Sequence, residues 1–101
     1  MILYNTSFHV ITSIEVEFLE WIKDKVIPPS VGFGFKQPLL TRLLTSIDDG
    51  CSAFALQFMA DDISSVEHWE AESRHIVMAD MYKRWGENAL AFSTIMEVIE
   101  V

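Results

Sequence analysis

The chain has 101 residues, half of them hydrophobic and 22% charged, the make-up of a folded domain and not of a disordered one. Fifteen acidic residues against seven basic ones give a net charge of −8, so there is no basic stripe to neutralise phosphates, and neither nucleic-acid binding nor docking on an anionic membrane is expected. One cysteine, Cys51, excludes an internal disulfide framework, and no apolar run reaches membrane-spanning length; with no secretory signal visible, a cytoplasmic protein is expected.

Residues Met1 to Val10 alternate as a strand, with Ile2, Tyr4, Thr6 and Phe8 on one face and Leu3, Asn5, Ser7 and His9 on the other. Thr12 and Glu15 then form a capping box, which predicts a helix with Ile14, Phe18, Trp21, Ile22 and Val26 on its buried stripe. Glu17, Glu20 and Asp24 fall on the wet side. Pro28-Pro29 is expected to end this helix, because neither proline has an amide to donate. Ser30 to Pro38 follows as the one long irregular stretch, with room for a short extra turn of helix.

A second strand is predicted over Leu39 to Ile47, then a hairpin turn at Asp48-Asp49-Gly50, then a third strand. That third strand puts Phe54, Leu56 and Phe58 on one face and Ala53, Ala55, Gln57 and Met59 on the other, so both of its faces need cover. A capping box at Ser64 and Glu67 opens one continuous second helix, with Val66, Trp69, Val77 and Met81 on its stripe and Ile76 at the edge, ending at Gly86. The last strand, Ala89 to Val101, carries Leu90, Phe92, Met96 and Val98 on one side.

The order βαββαβ predicts an α+β, ferredoxin-like domain spanning residues 1–101, a four-stranded antiparallel sheet with both helices on one face. The opposite sheet face would carry Leu3, Ala53, Ala55, Met59, Ala91 and Ile95 among neutral polar residues. The simplest cover for it is a second copy packed sheet against sheet, so a homodimer is expected.

Several groups of residues could carry chemistry. His68, Glu72 and His75 share one helix flank at spacings suited to a metal ion, although the plainer reading of that flank is a solvated face. Asp80 and Arg84, beside Val66, Trp69 and Val77, are spaced to pair, either at the polar end of a helix–sheet cleft or as an ion pair at the edge of the core. Phe33 and Phe35, set between Gly32, Gly34 and Lys36, form either a lid over a ligand or part of the core. Asn5, Ser7 and His9, with Ser93 and Gln57 assigned to the same face, could contact a ligand or hydrogen-bond across a dimer interface. The Gly32-Phe33-Gly34 run lacks the rest of a dinucleotide fingerprint, and Cys51 beside an acidic turn is a poor nucleophile.

The segments MILYNTSFHV, FLEWIKDKVIP, FALQF and RWGENALAFSTIMEVIE together resemble a domain-of-unknown-function family of small bacterial proteins about 100 residues long. Pro29 to Phe35 departs from the family pattern, as does Ser93, which stands where an arginine is expected. More distantly, the layout is similar to the dimeric α+β barrel superfamily, which includes antibiotic-biosynthesis monooxygenases and haem-degrading monooxygenases. That second resemblance implies Asn5, Trp69 and His75 as catalytic candidates, with haem as a possible cofactor and otherwise none. The resulting expectation is a homodimeric small-ligand-binding or accessory protein, with a small apolar or aromatic ligand contacted by Trp21, Phe33, Phe35, Asp80 and Arg84. The alternative is a cofactor-independent or haem-degrading-type monooxygenase.

Overall fold

The computed structural model describes residues 1–45 and 50–101. Its centre is β1 (Ile2–Ile11), which pairs antiparallel with β3 (Cys51–Ala60) on one side and with β4 (Ala89–Glu97) on the other. Strand β2 (Lys36–Arg42) adds to the free edge of β3, giving the order β2-β3-β1-β4. All pairs are antiparallel and all helices lie on one face, which is the ferredoxin-like fold. Among the described residues, no helix is long and apolar enough to cross a membrane.

The first helix does not stop at the prolines. It runs as α1 (Glu15–Trp21), one π-helical turn (Ile22–Val26) and α2 (Ile27–Phe33). In the wider turn the Ile27 amide bonds Ile22 O, five residues back, so the next segment starts afresh with Pro28 and Pro29 in its first turn. A first turn has no amide partners to lose, which is why prolines are tolerated there. Ser30 is buried and its Oγ donates to Val26 O at 2.7 Å, so the buried hydroxyl is satisfied within the helix. Gly34, at φ +119°, then ends the helix in a conformation that side chains rarely tolerate. Most of the stretch expected to be irregular is therefore α2 and the start of β2, and that strand begins three residues before the predicted Leu39. The end of the predicted second strand and the Asp48-Asp49 turn lie outside the described residues.

Neither predicted capping box forms. Thr12 opens a short 3-10 turn (Thr12–Ile14) and its hydroxyl turns to Ser52 at 3.3 Å. Glu15 is drawn across to β2 and β3, where it accepts from Arg42 Nη2 (3.1 Å) and Ser52 Oγ (2.7 Å). The second helix is capped two residues earlier than predicted, by Asp62, whose carboxylate accepts from the Ser65 amide at 3.1 Å. It is also broken. Ser73, at φ −124° and ψ −30°, separates α3 (Ile63–Glu72) from α4 (Arg74–Trp85), and Gly86 ends α4 as expected.

Beneath the helices the core is aromatic. Phe18 packs against Phe8, Trp21, Phe54 and Trp85 at centroid distances of 5.1 to 5.9 Å. The predicted stripes hold: Phe18, Trp21, Ile22 and Val26, then Val66, Trp69 and Met81, are all buried. Strand β4 is the exception, for its phase is the reverse of the prediction. Ala91, Ser93 and Ile95 stand opposite Phe8, Thr6 and Tyr4 on the helix side, while Leu90, Phe92, Thr94 and Met96 stand on the open side with Leu3, Asn5, Ser7 and His9. Small side chains at Ala89 and Ala91 leave room for α4 above them, which Leu90 or Phe92 would not.

Candidate functional site

Between the sheet and the helices, midway along β1, the apolar packing is interrupted by a cluster of hydroxyls. Thr6 and Ser93 face each other across the β1–β4 pair with their oxygens 2.9 Å apart, and Tyr4 Oη donates to Ser93 Oγ at 3.3 Å. Val26 and Ser30 approach from the first helix, and Trp69, Arg74, Val77 and Met78 from α3 and α4. A cavity of about 20 Å³ remains among them, room for about one water. Burial pushes the Tyr4 phenol above its ordinary value of 10.0, with a smaller opposing pull from the Ser93 hydroxyl, so it stays a neutral donor at pH 7. Arg74 Nε is buried at the edge of this cluster, 3.5 Å from Glu70 Oε2, and makes no hydrogen bond.

The helix irregularities frame this cleft. Val26 closes the π turn and Arg74 follows directly on the Ser73 break. Extra or missing helical bonds rotate the following turns, and such π turns are frequent at functional sites.

Five residues were expected to contact a ligand, and they divide between two places. Phe35 is buried core, stacked on Tyr4 (5.6 Å) and Phe58 (5.4 Å) and edge-on to Trp69 (5.6 Å). Phe33 is half-buried beside it, 5.5 Å from Trp69 and 4.9 Å from His68. Neither ring is a free lid. Trp21, Asp80 and Arg84 meet elsewhere, between α1 and α4: Asp80 Oδ2 accepts from Trp21 Nε1 at 2.7 Å and from Arg84 Nε at 3.1 Å. The indole bond is the main reason that the Asp80 carboxyl sits below its ordinary value, with Arg84 adding to it. Trp21, Trp85 and Arg84 border an open groove of about 430 Å³ with Glu17, Glu20, Asp24 and Lys25 along its rim.

Asn5, Trp69 and His75 are not brought together within one chain. Asn5 is on the open sheet face, where its amide donates to Ser7 Oγ at 3.1 Å, while Trp69 is buried on the other side of the sheet. His75 is exposed on α4. On the proposed metal flank, His68 Nε2 lies 3.4 Å from Glu72 Oε1, both exposed, but the Ser73 break separates them from His75. Among the described residues no three His, Cys, Asp or Glu side chains are grouped to hold an ion. Of the polar residues assigned to the open face, Gln57 stands there opposite Asn5, but Ser93 does not. The residues present do not fit a haem either: the cleft has about 20 Å³ of space and no histidine lines it.

The open face is more apolar than the sequence reading allowed. Leu39 is 52% exposed, Leu90 56% and Phe92 60%, and Leu43 and Met96 are also exposed. Their neighbours across the strands, Leu3, Ala55 and Met59, are half-buried.

The sequence reading missed Tyr4, Thr6, Arg74 and the true place of Ser93. Thr6 was the available signal, a hydroxyl in the middle of the β1 face that otherwise reads Ile2, Tyr4, Phe8 and Val10. Arg74 was the second, a cation within a turn of Val77 on the buried stripe.

Solved structures of the same fold match over nearly the whole chain. A protein from Deinococcus radiodurans named for the antibiotic biosynthesis monooxygenases matches with a TM-score of 0.67 and 14% identity, over 100% of this chain and 95% of its own. A dimeric ferredoxin-like protein from an uncultured marine organism matches with a TM-score of 0.59 and 10% identity, over 99% and 98%. A variant of SnoaB, a cofactor-independent oxygenase from Streptomyces nogalater, matches with a TM-score of 0.55 and 11% identity, over 99% and 95%. At such identities the likeness shows the fold alone. No functionally curated protein matches the chain. A family model does match, over residues 1–99, and the chain belongs to that family, the domain of unknown function DUF4286.

Proposed function

We propose that the protein is a homodimer, closed sheet against sheet, in which each copy binds a small, largely apolar ligand in the cleft between its sheet and its helices. The observation that carries this reading is the open sheet face, where Leu39 on β2 and Leu90, Phe92 and Met96 on β4 stand exposed on either side of the half-buried Leu3, Ala55 and Met59. Apolar side chains at that density are costly to leave in water, and an identical face related by a twofold axis covers them without needing any other partner. The dimeric ferredoxin-like proteins of the same fold support it. In such a dimer Asn5, Ser7 and Gln57 become hydrogen-bonding groups of the interface. A net charge of −8 repels nucleic acid, and the free Cys51 suits a reducing cytoplasm.

A second reading is a cofactor-independent oxygenase acting on an aromatic substrate, supported by the oxygenase-named structures of the same fold and by Trp69 in the wall of the cleft. Its chemistry would rest on the cleft residues, since Asn5 and His75 do not reach Trp69 in one chain. Oxygen uptake with a panel of electron-rich phenols separates the two readings. Turnover abolished by Trp69→Phe supports the oxygenase, and saturable binding without oxygen uptake supports the binding protein.

A further inference from the structure

We infer that the ligand of the helix–sheet cleft is an anion, a small molecule with an apolar body and one carboxylate group that Arg74 receives. The inference rests on the cleft-binding reading above and adds the ligand's chemical class. Its starting point is Arg74 Nε, a buried N–H donor without a hydrogen bond. The side chain as a whole is partly exposed and ion-paired with Glu70, but a buried N–H left without an acceptor is costly, and a carboxylate is the partner whose geometry matches a guanidinium edge. Glu70 lies 3.5 Å away and holds the charge without completing the bond. It is itself partly exposed, so a ligand carboxylate can take its place while Glu70 turns to water.

Glu70 apart, the polar side chains that face the cavity beside Arg74 are hydroxyls, which can donate. Tyr4, Thr6 and Ser93 present hydroxyls to the cavity, and no carboxylate lines it although the chain carries a net charge of −8. Burial keeps the Tyr4 hydroxyl protonated and therefore able to donate to an anion. The remaining walls, among them Phe8, Leu56, Phe58, Trp69 and Met78, are apolar. Together they describe a carboxylate on a hydrocarbon or aromatic body. Space for that body must come from movement, because the cavity holds only about 20 Å³ as it stands. Met78 is the wall residue best suited to move, since its unbranched chain repacks easily, and the Ser73 break lets the start of α4 shift without unwinding α3.

The test uses the full chain labelled at its methionine methyl groups and two isosteric probes, phenylacetate and phenylacetamide, titrated by NMR. Phenylacetate is expected to shift the Met78 methyl resonance saturably and to bind about tenfold more tightly than the amide, or better. Arg74→Met should remove that preference while leaving the amide's binding in place, and Arg74→Lys, which keeps the charge but not the fork, should restore part of it. The comparison of the two probes on the unmodified protein stands even if a variant fails to fold. Equal affinities at Met78, or a preference that survives Arg74→Met, would overturn the anion assignment and leave the cleft-binding reading intact. If neither probe nor any of a matched set of neutral and anionic aromatics moves Met78, the cleft-binding reading falls and the anion assignment with it.

Discussion

Phe92 is the most direct handle on the open sheet face. It stands on β4 opposite Ser7, is 60% exposed, and belongs to no buried cluster of the chain. Full burial of a phenylalanine side chain is worth about 1.5–3 kcal/mol, so covering the exposed share contributes about 1–2 kcal/mol per copy. A twofold interface uses that residue twice, so Phe92→Ala should weaken the dimer by about 2–4 kcal/mol, a rise in dissociation constant of about 30- to 1,000-fold. Sedimentation equilibrium at several loading concentrations measures this directly. Fold stability, measured by urea unfolding below the dissociation constant, should fall by no more than about 1 kcal/mol, because the ring lies outside the buried core and its own chain covers only the smaller part of it. Val16→Ala is the matched control: Val16 is exposed on the helix side of the molecule, and its loss should leave the dissociation constant unchanged. A Phe92→Ala protein that dimerises as tightly as the parent would refute the sheet-to-sheet reasoning.

Other outcomes follow from single residues. Gly34→Ala forces a side chain into φ +119°, and should cost about 1–2 kcal/mol in urea unfolding even though the added methyl meets no neighbouring atom. Ser30→Ala removes the buried hydroxyl's hydrogen bond to Val26 O and should cost about 1 kcal/mol in the same assay. Asp80 has a folded pKa lowered chiefly by the Trp21 indole, so its contribution is present above the unfolded value of 3.8 and is lost as pH falls through the lower folded value. The urea midpoint of Asp80→Asn should accordingly fall less steeply than the parent's as pH drops below about 4, part of the slope remaining because Glu15 and Asp62 shift the same way. Zinc should leave the melting temperature unchanged, since the Ser73 break takes His75 off the flank of His68 and Glu72, and a clear rise would contradict that.

How far the fold could be read from the sequence depended on whether local pattern carried direction. Alternation in β1 and the stripes at Phe18–Trp21–Ile22 and Val66–Trp69 are local facts, and the structure keeps them. β4 is apolar on both faces, so its alternation names two sides without saying which one meets the helices; only pairing with Phe8 and Thr6 decides that. The prolines misled because a π turn resets helical register, which no propensity at Pro28 or Pro29 reveals. Capping boxes failed where a better partner was available through space: Glu15 found Arg42 and Ser52, and Asp62 outcompeted Ser64. The cleft was least legible, because Tyr4, Thr6, Arg74 and Ser93 come from three separate elements and share no spacing.

Native mass spectrometry of the purified protein, before and after addition of phenylacetate, tests the central claim most directly. Two chains per particle, with up to one small acid retained in each, is the expected result. A monomer that retains nothing would contradict both halves of the account, the covered sheet face and the occupied cleft.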